Sequence, residues 1–257
     1  MANVATSIKQ TGGDSIYFGD RTKTDDFNFK ERRPFTAECW FKSTGENNYG
    51  SGGPANYATL MGAYSSPTAS RQWLMVVNNV GSGPDEFLDC YMYSGTTTVG
   101  RLQGGADMTG DGGWHHAAYQ RNGNNFALFL DGKLANSVID STSTQSVTNG
   151  ITTSYYDGTA HASMDGYIDE LRISNFARYG NIDIPTTQLN TWQILGRGQN
   201  TLLPHHTKLL IQANSSTTTS SAIVDESGNH AITIADGAAY SQGKTNFGNT
   251  AIYFDGS

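Results

Sequence analysis

Short apolar runs, alternating or continuous, are broken every few positions by Gly, Asn, Asp or Ser through most of this 257-residue chain. That is the pattern of an all-β sandwich. In 35–41, Phe35, Ala37, Cys39 and Phe41 fall on one face of a strand, while Trp73–Val77 is apolar on both faces and suits a central strand. Ala117–Arg121 and Phe126–Leu130 flank Asn122-Gly123-Asn124-Asn125, where Asn-Gly supplies the positive φ of a tight hairpin. Asp131-Gly132 marks a second turn before Lys133–Val138. Gly166–Ser174 reads as a strand in which Tyr167, Asp169, Leu171 and Ile173 alternate against Ile168, Glu170 and Arg172. The expected core contains Phe35, Cys39, Trp114, Leu128, Leu130, Leu171 and Ile173. Helical spacing is confined to 187–195, where Leu189, Trp192 and Leu195 follow Pro185 and predict one or two turns. The Ser/Thr tracts at 141–154 and 214–221 read as loops or linkers, too poor in apolar surface to order by themselves.

Composition sharpens this reading. Thirty glycines provide for many turns, and only 15% of residues are charged, against roughly 25% in ordinary globular domains. A net charge of −7 lacks the basic footprint of a nucleic-acid or anionic-membrane partner. No apolar run approaches the length of a membrane span. The N-terminal MANVATSIKQTGG has neither the basic start nor the apolar centre of a signal peptide, so a protein made in the cytoplasm is expected, unless another export route exists. Cys39 and Cys90 each lie inside a strand-like run and read as small buried hydrophobes; a buried disulfide between strands is the alternative.

One internal echo stands out. Gly12-Gly13-Asp14-Ser15-Ile16-Tyr17-Phe18 and Gly248-Asn249-Thr250-Ala251-Ile252-Tyr253-Phe254 share Gly-x-x-x-Ile-Tyr-Phe, one near each end. Three further segments carry a family likeness: Trp114-His115-His116-Ala117-Ala118, Leu128-Phe129-Leu130-Asp131-Gly132-Lys133 and Gly166–Ser174. In that order they resemble the signature of laminin-G-like domains in the concanavalin A-like superfamily. Phe35–Phe41 resembles that family's first core strand, and Leu209–Ile211, Asp225–His230 and Phe247–Gly256 resemble strands that normally precede it. The resemblance implies an antiparallel jelly-roll β-sandwich. It also implies one domain with a main body over 1–180, a connector over 181–207 and C-terminal strands over 208–257. The displaced tail has three readings. Closing its own sandwich ranks first; the others are starting a truncated second repeat and adding strands to a neighbouring subunit.

Candidate chemistry is sparse. A glycosidase of this superfamily needs two carboxylates flanking the scissile bond. Asp85-Glu86-Phe87-Leu88-Asp89 and Asp169-Glu170 both lack the third acid of the hydrolase pattern, and Glu38 stands alone in its strand. Asp169 and Glu170 are expected to bond to turns and to Arg172. Trp114-His115-His116 matches a structural strand of the family, and His205-His206 falls in the connector. Adjacent histidines on a strand point to opposite faces and do not share a metal. No phosphate loop, nucleophile elbow or Cys/His metal cluster is present. Relatives of this fold bind calcium through loop oxygens, which makes Asp107, Asp111, Asp225, Asn229 and Asp255 candidate Ca2+ ligands, although such residues also build ordinary turns. Tyr49, Tyr57, Tyr64, Tyr155 and Tyr156 are candidates for stacking on a carbohydrate or contacting a partner.

The sequence therefore leads to a non-enzymatic binding or structural module. Its family, composition and fragmentary repeats are similar to those of bacteriophage virion proteins, which implies a capsid decoration or tail appendage located in the virion. Its partners would be other virion proteins and copies of itself. The alternative is a carbohydrate-binding module for a cell-surface glycan, and a glycoside hydrolase ranks third.

Overall fold

The computed structural model describes residues 8–10, 15–18, 29–43, 57–63, 72–79, 86–105, 108, 112–144, 151–153, 155–156, 161–162, 166–179, 207–211, 225, 227, 231–235, 239–241 and 251–253. All regular structure among them is β. In chain order the strands are β1 (Ile8–Gln10), β2 (Ser15–Phe18), β3 (Phe35–Ser43), β4 (Tyr57–Ala63), β5 (Trp73–Asn79), β6 (Glu86–Ser94) and β7 (Thr97–Gly104). They continue with β8 (His115–Asn122), β9 (Asn125–Leu130), β10 (Lys133–Ile139), β11 (Ile151–Thr152), β12 (Tyr155–Tyr156), β13 (His161–Ala162) and β14 (Gly166–Ser174). The last four are β15 (Thr207–Ile211), β16 (Ile232–Ala235), β17 (Ala239–Ser241) and β18 (Ala251–Tyr253).

Two sheets face each other. One runs β10-β9-β8-β3-β14-β1-β18-β17, with β15 also on β14; the other runs β16-β2-β11-β4-β5-β6-β7. A separate small ladder joins β12 to β13. The pairing is antiparallel apart from β1 with β18, as a jelly-roll sandwich requires. Phe35, Ala37, Cys39 and Phe41 from the first sheet and Trp73, Met75, Val77, Leu88, Cys90 and Met92 from the second meet in one core. Cys39 and Cys90 are free thiols within it, and burial pushes both thiols far above the ordinary range.

Several local expectations are corrected by the geometry. The hairpin between β8 and β9 turns on Gly123-Asn124 rather than on Asn122-Gly123, with positive φ at the glycine alone, as in a type II′ turn. Asp131 and Gly132 both have positive φ (50° and 76°), the signature of type I′. In β14 a bulge sets Asp169 opposite Trp40 but Arg172 opposite Glu38, with Glu170 at φ 49°. The extra residue reverses the alternation, so Ile168 joins Leu171 and Ile173 in the core while Tyr167 and Asp169 leave it. Trp114 and Leu130 are only half-buried, at the rim; Trp114 rests on the Tyr167 ring at 6.3 Å. The end of the polar tract at 141–154 is not all loop, because Ile151–Thr152 lies between β2 and β4. The helical reading of 187–195 and the tract at 214–221 lie outside the described residues.

The two Ile-Tyr-Phe copies do not compete for one position. Ser15–Phe18 sits between β11 and β16 in the seven-stranded sheet, whereas Ala251–Tyr253 pairs with β17 and, in parallel, with β1 in the other sheet. From the C-terminal segment, β15 pairs with β14 and β16 pairs with β2 of the same chain.

Candidate functional site

Strand alternation gives each sheet an outer face, and the two outer faces differ in chemistry. On the seven-stranded sheet the residues between the core positions of β5 are Leu74 and Val76, which pack with Tyr91 and Tyr93 of β6 in a second apolar cluster. Leu74 lies opposite Tyr91, and Val76 opposite Asp89. The two tyrosine rings meet edge to face at 5.4 Å. Leu74 leans over Gly62 of β4, where a Cβ would come within 2.6 Å of its methyl group, so only glycine lets the side chain lie flat there.

Beside this apolar centre is a polar group built across three strands. Asp89 is buried, and Arg101 of β7 donates to both of its oxygens, from Nε at 3.0 Å and Nη2 at 2.5 Å. Gln103 Nε2 and Asn78 Nδ2 donate to Oδ2 at 3.2 and 3.4 Å. The Arg101 side chain is 48% exposed and stands 5.8 Å from the Tyr91 ring centroid. Arg101 and Gln103 are the exposed members, Tyr93 is half-buried, and Asp89 fixes them from below. A fork of guanidinium donors, an amide and aromatic rings on a rigid sheet can hydrogen-bond and stack on a polyhydroxylated ring. None of these residues was singled out as a contact in the sequence. The signal was there, since Asp89, Tyr91 and Tyr93 alternate on β6, and Arg101 and Gln103 on β7.

The outer face of the nine-stranded sheet is closed by residues 175–179, which follow β14 and fold back across it. Thr36 Oγ1 donates to the Phe176 carbonyl at 2.9 Å and accepts from the Arg178 amide at 3.1 Å. The Tyr179 amide donates to Gln120 Oε1 at 2.9 Å, and its ring packs on Phe129 and His116. Under this strap lies Glu38, only 1% exposed, with Arg172 Nε at 2.5 Å and Arg178 Nε at 2.9 Å from the same oxygen and His116 Nε2 3.4 Å from the other. Burial pushes this carboxyl up, but Arg172, Arg178 and His116 outweigh it and hold it at about 2. Glu38 is thus the hub of a buried ion cluster, to which Arg172 donates through Nε. Asp169 Oδ1 accepts from the Glu170 amide, fastening the bulge.

The Trp-His-His and Leu-Asp-Gly-Lys segments prove to be one structural device. Asp131, in its type I′ turn, contacts His115 Nδ1 at 2.9 Å and accepts from the His116 amide at 2.8 Å, while its own amide donates to the His116 carbonyl. Every described carboxyl with a displaced pKa is displaced downward: Glu38, Asp131 and Asp140. For Asp131 burial raises the value and the His115 and His116 hydrogen bonds more than reverse it; for Asp140 the Gly100 and Thr142 amides do the same.

Of the candidate calcium ligands, Asp225 is described and buried. It accepts from the Ser227 amide and hydroxyl at 2.9 and 2.7 Å, which makes it a turn former. Asp107, Asp111, Asn229 and Asp255 lie outside the described residues, and among the described residues no group of three or more metal-type side chains gathers. Tyr57 opens β4 in register with Asn78, and Tyr155 and Tyr156 form β12 against Ala162 and His161. Tyr49 and Tyr64 lie outside the described residues.

Residues 11–180 match the family model Laminin_G_3, described as the concanavalin A-like lectin/glucanases superfamily. Among solved structures, a candidate carbohydrate binding protein from Bacteroides ovatus is similar over 90% of this chain, with 14% identity and a TM-score of 0.55. This chain spans 60% of that protein's length. The native heptameric SAP-like pentraxin from Limulus polyphemus is similar over 91% of this chain and 96% of its own, at 12% identity and a TM-score of 0.51. No curated protein matches the sequence significantly.

Proposed function

The chain belongs to the Laminin_G_3 family of the concanavalin A-like lectin/glucanases superfamily, and from that premise we propose a non-enzymatic binding module that recognises a glycan on the outer face of its seven-stranded sheet. The observation that carries this reading is Arg101, half exposed beside the Tyr91 ring and held in a fixed orientation by buried Asp89. Asn78 and Gln103 secure the same carboxylate, so the donors are positioned before a ligand arrives. Catalysis does not fit these groups, because Asp89 and Glu38 are both occupied by guanidinium partners. The carbohydrate-binding description of the Bacteroides protein agrees with this reading.

Screening the whole chain on a glycan array, then titrating the best ligand into Arg101→Ala and Tyr93→Ala, tests the proposal. Each variant is expected to weaken binding by about tenfold or more and to return the ligand uncleaved. Undiminished binding by both variants, or release of reducing sugar, would overturn it.

A second reading is a structural part of a bacteriophage virion, a capsid decoration or tail appendage that assembles with copies of itself and with other virion proteins. One observation favours it. β10 ends the nine-stranded sheet, pairs only with β9 among the described strands, and presents Val138 and Ile139, the latter 77% exposed. An edge strand with apolar side chains is a template for another chain. Light scattering should then find an oligomer that Ile139→Lys dissociates; a monomer at every concentration counts against it.

A further inference from the structure

Arg101 reaches the outer face of the seven-stranded sheet through an irregularity in β7. Val99 and Leu102 both enter the core, although strict alternation from Val99 would turn Arg101 inward and Leu102 outward. One extra residue resolves this. Met92 of β6 lies opposite Val99 and Cys90 opposite Leu102, which leaves Gly100 and Arg101 together against Tyr91. Gly100 takes φ +57°, and a left-handed glycine at the first position of such an insertion is a G1 bulge, a device that redirects the next side chain. The bulge sets the Arg101 guanidinium beside the Tyr91 ring and onto Asp89.

Both backbone groups of Gly100 are held by side chains from the facing sheet. Its amide donates to Oδ2 of Asp140, just past β10, at 3.0 Å, and its carbonyl accepts from the Tyr119 hydroxyl of β8 at 2.9 Å. Asp140 is fixed in turn, since its Oδ1 accepts from the Thr142 amide at 2.9 Å. Further along β7, the Gln103 carbonyl accepts from Asn136 Nδ2 of β10 at 2.9 Å, and Asn136 Oδ1 accepts from the Ser137 amide at 2.8 Å. The two strands come so close that a Cβ at Gly104 would stand 2.9 Å from the Ala135 methyl. β7 ends its sheet, and these side chains supply hydrogen-bond partners for its backbone.

We propose that Asp140 and Asn136 are positioning residues for the binding face: Asp140 fixes the Gly100 bulge that aims Arg101, and Asn136 fixes the stretch of β7 that carries Gln103. Both act from the opposite sheet, through the β7 backbone. The inference rests on the glycan reading of that face, but the aiming of Arg101 can be measured without a ligand. A donor held in place before binding loses less freedom when the ligand arrives. Losing either contact therefore weakens a ligand while every group on the Arg101 face is kept.

Hydrogen exchange of the Arg101 Nε–H, followed by NMR in the labelled full chain, reads the aiming directly, because that proton is held on Asp89 Oδ1. The Arg172 Nε–H, held on Glu38 in the other sheet, is the reference for general loosening. Asp140→Ala should speed Arg101 exchange several-fold and leave Arg172 unchanged. Asp140→Asn keeps a side-chain carbonyl for the Gly100 amide and should restore most of the parent rate. Arg101 exchange equal to the parent in Asp140→Ala, or an equal acceleration of both protons, overturns the proposal. With a glycan selected on the array, Asp140→Ala and Asn136→Ala should each weaken binding several-fold; undiminished affinity in both overturns the positioning role. If the array selects no glycan, the glycan reading fails, and the exchange rates still decide whether Asp140 aims Arg101. Should Asp140→Ala not fold, Asn136→Ala decides through the Gln103 side-chain amide signal, and a signal identical to the parent's overturns the proposal.

Discussion

Glu38 shows how little a lone acid in a sequence reveals about its setting. It occupies the outer-face position of an amphipathic strand, and only the return of β14 beside β3 and the strap beyond it deliver Arg172 and Arg178. Its partners are 134 and 140 residues away, beyond the reach of any local pattern. The consequence is a pH dependence with a definite sign. Its folded value of about 2 lies below the ordinary 4.5, so the native state holds the charged form more strongly than the unfolded chain does. The stabilisation is complete above about pH 4.5, shrinks as pH falls toward 2, and is lost below it, amounting to roughly 3 kcal/mol. Urea unfolding between pH 7 and pH 2.5 should show this loss in the parent. Glu38→Gln should remove that part of the pH profile and cost about 3–5 kcal/mol at pH 7, because two buried guanidinium groups lose their counter-ion. An equally steep acid profile in Glu38→Gln would contradict the account.

At the scale of elements, the strands were legible wherever one face is apolar. Phe35–Phe41, the two-faced run at Trp73–Val77 and the hairpins after β8 and β9 follow from period and turn chemistry. The alternation in β14 was not legible, because a bulge at a non-glycine residue leaves no mark in composition: Glu170 takes φ 49° and every position after it changes face. Another local constraint hides in β7. Gly100 has φ +57°, and a Cβ there would stand 2.5 Å from the Phe126 ring. Its carbonyl accepts from the Tyr119 hydroxyl at 2.9 Å and its amide donates to Asp140 at 3.0 Å, so the backbone cannot easily withdraw. Gly100→Ala should cost about 2–5 kcal/mol, the sum of left-handed strain and core overpacking. Chemical denaturation reads this directly, and a loss below about 1 kcal/mol would show that the strand yields freely.

For the whole molecule, the sandwich was expected from the alternating pattern and the laminin-G-like segments, and the seating of the tail needed the structure. Leu209 and Ile211 of β15 enter the core beside Leu171 and Ile173, and β16 covers one side of β2. Burying two such side chains contributes on the order of 3–6 kcal/mol. Removing residues 207–257 should accordingly lower the midpoint of thermal unfolding by roughly 6–24 °C, and an unchanged midpoint would mean that these strands are dispensable. The candidate binding face was less legible than the fold, because it assembles single residues from β5, β6 and β7 whose meeting depends on strand order. The tyrosine candidates Tyr49, Tyr57, Tyr64, Tyr155 and Tyr156 came from loop-like stretches read one at a time. Arg101 and Tyr93 become candidates only when the strands stand side by side. The most direct measurement of the central claim is an amide chemical-shift map of the labelled chain titrated with the glycan selected on the array. The account predicts saturating shifts concentrated on residues 74–78, 89–94 and 98–103; no shifts, or shifts confined to other strands, would contradict it.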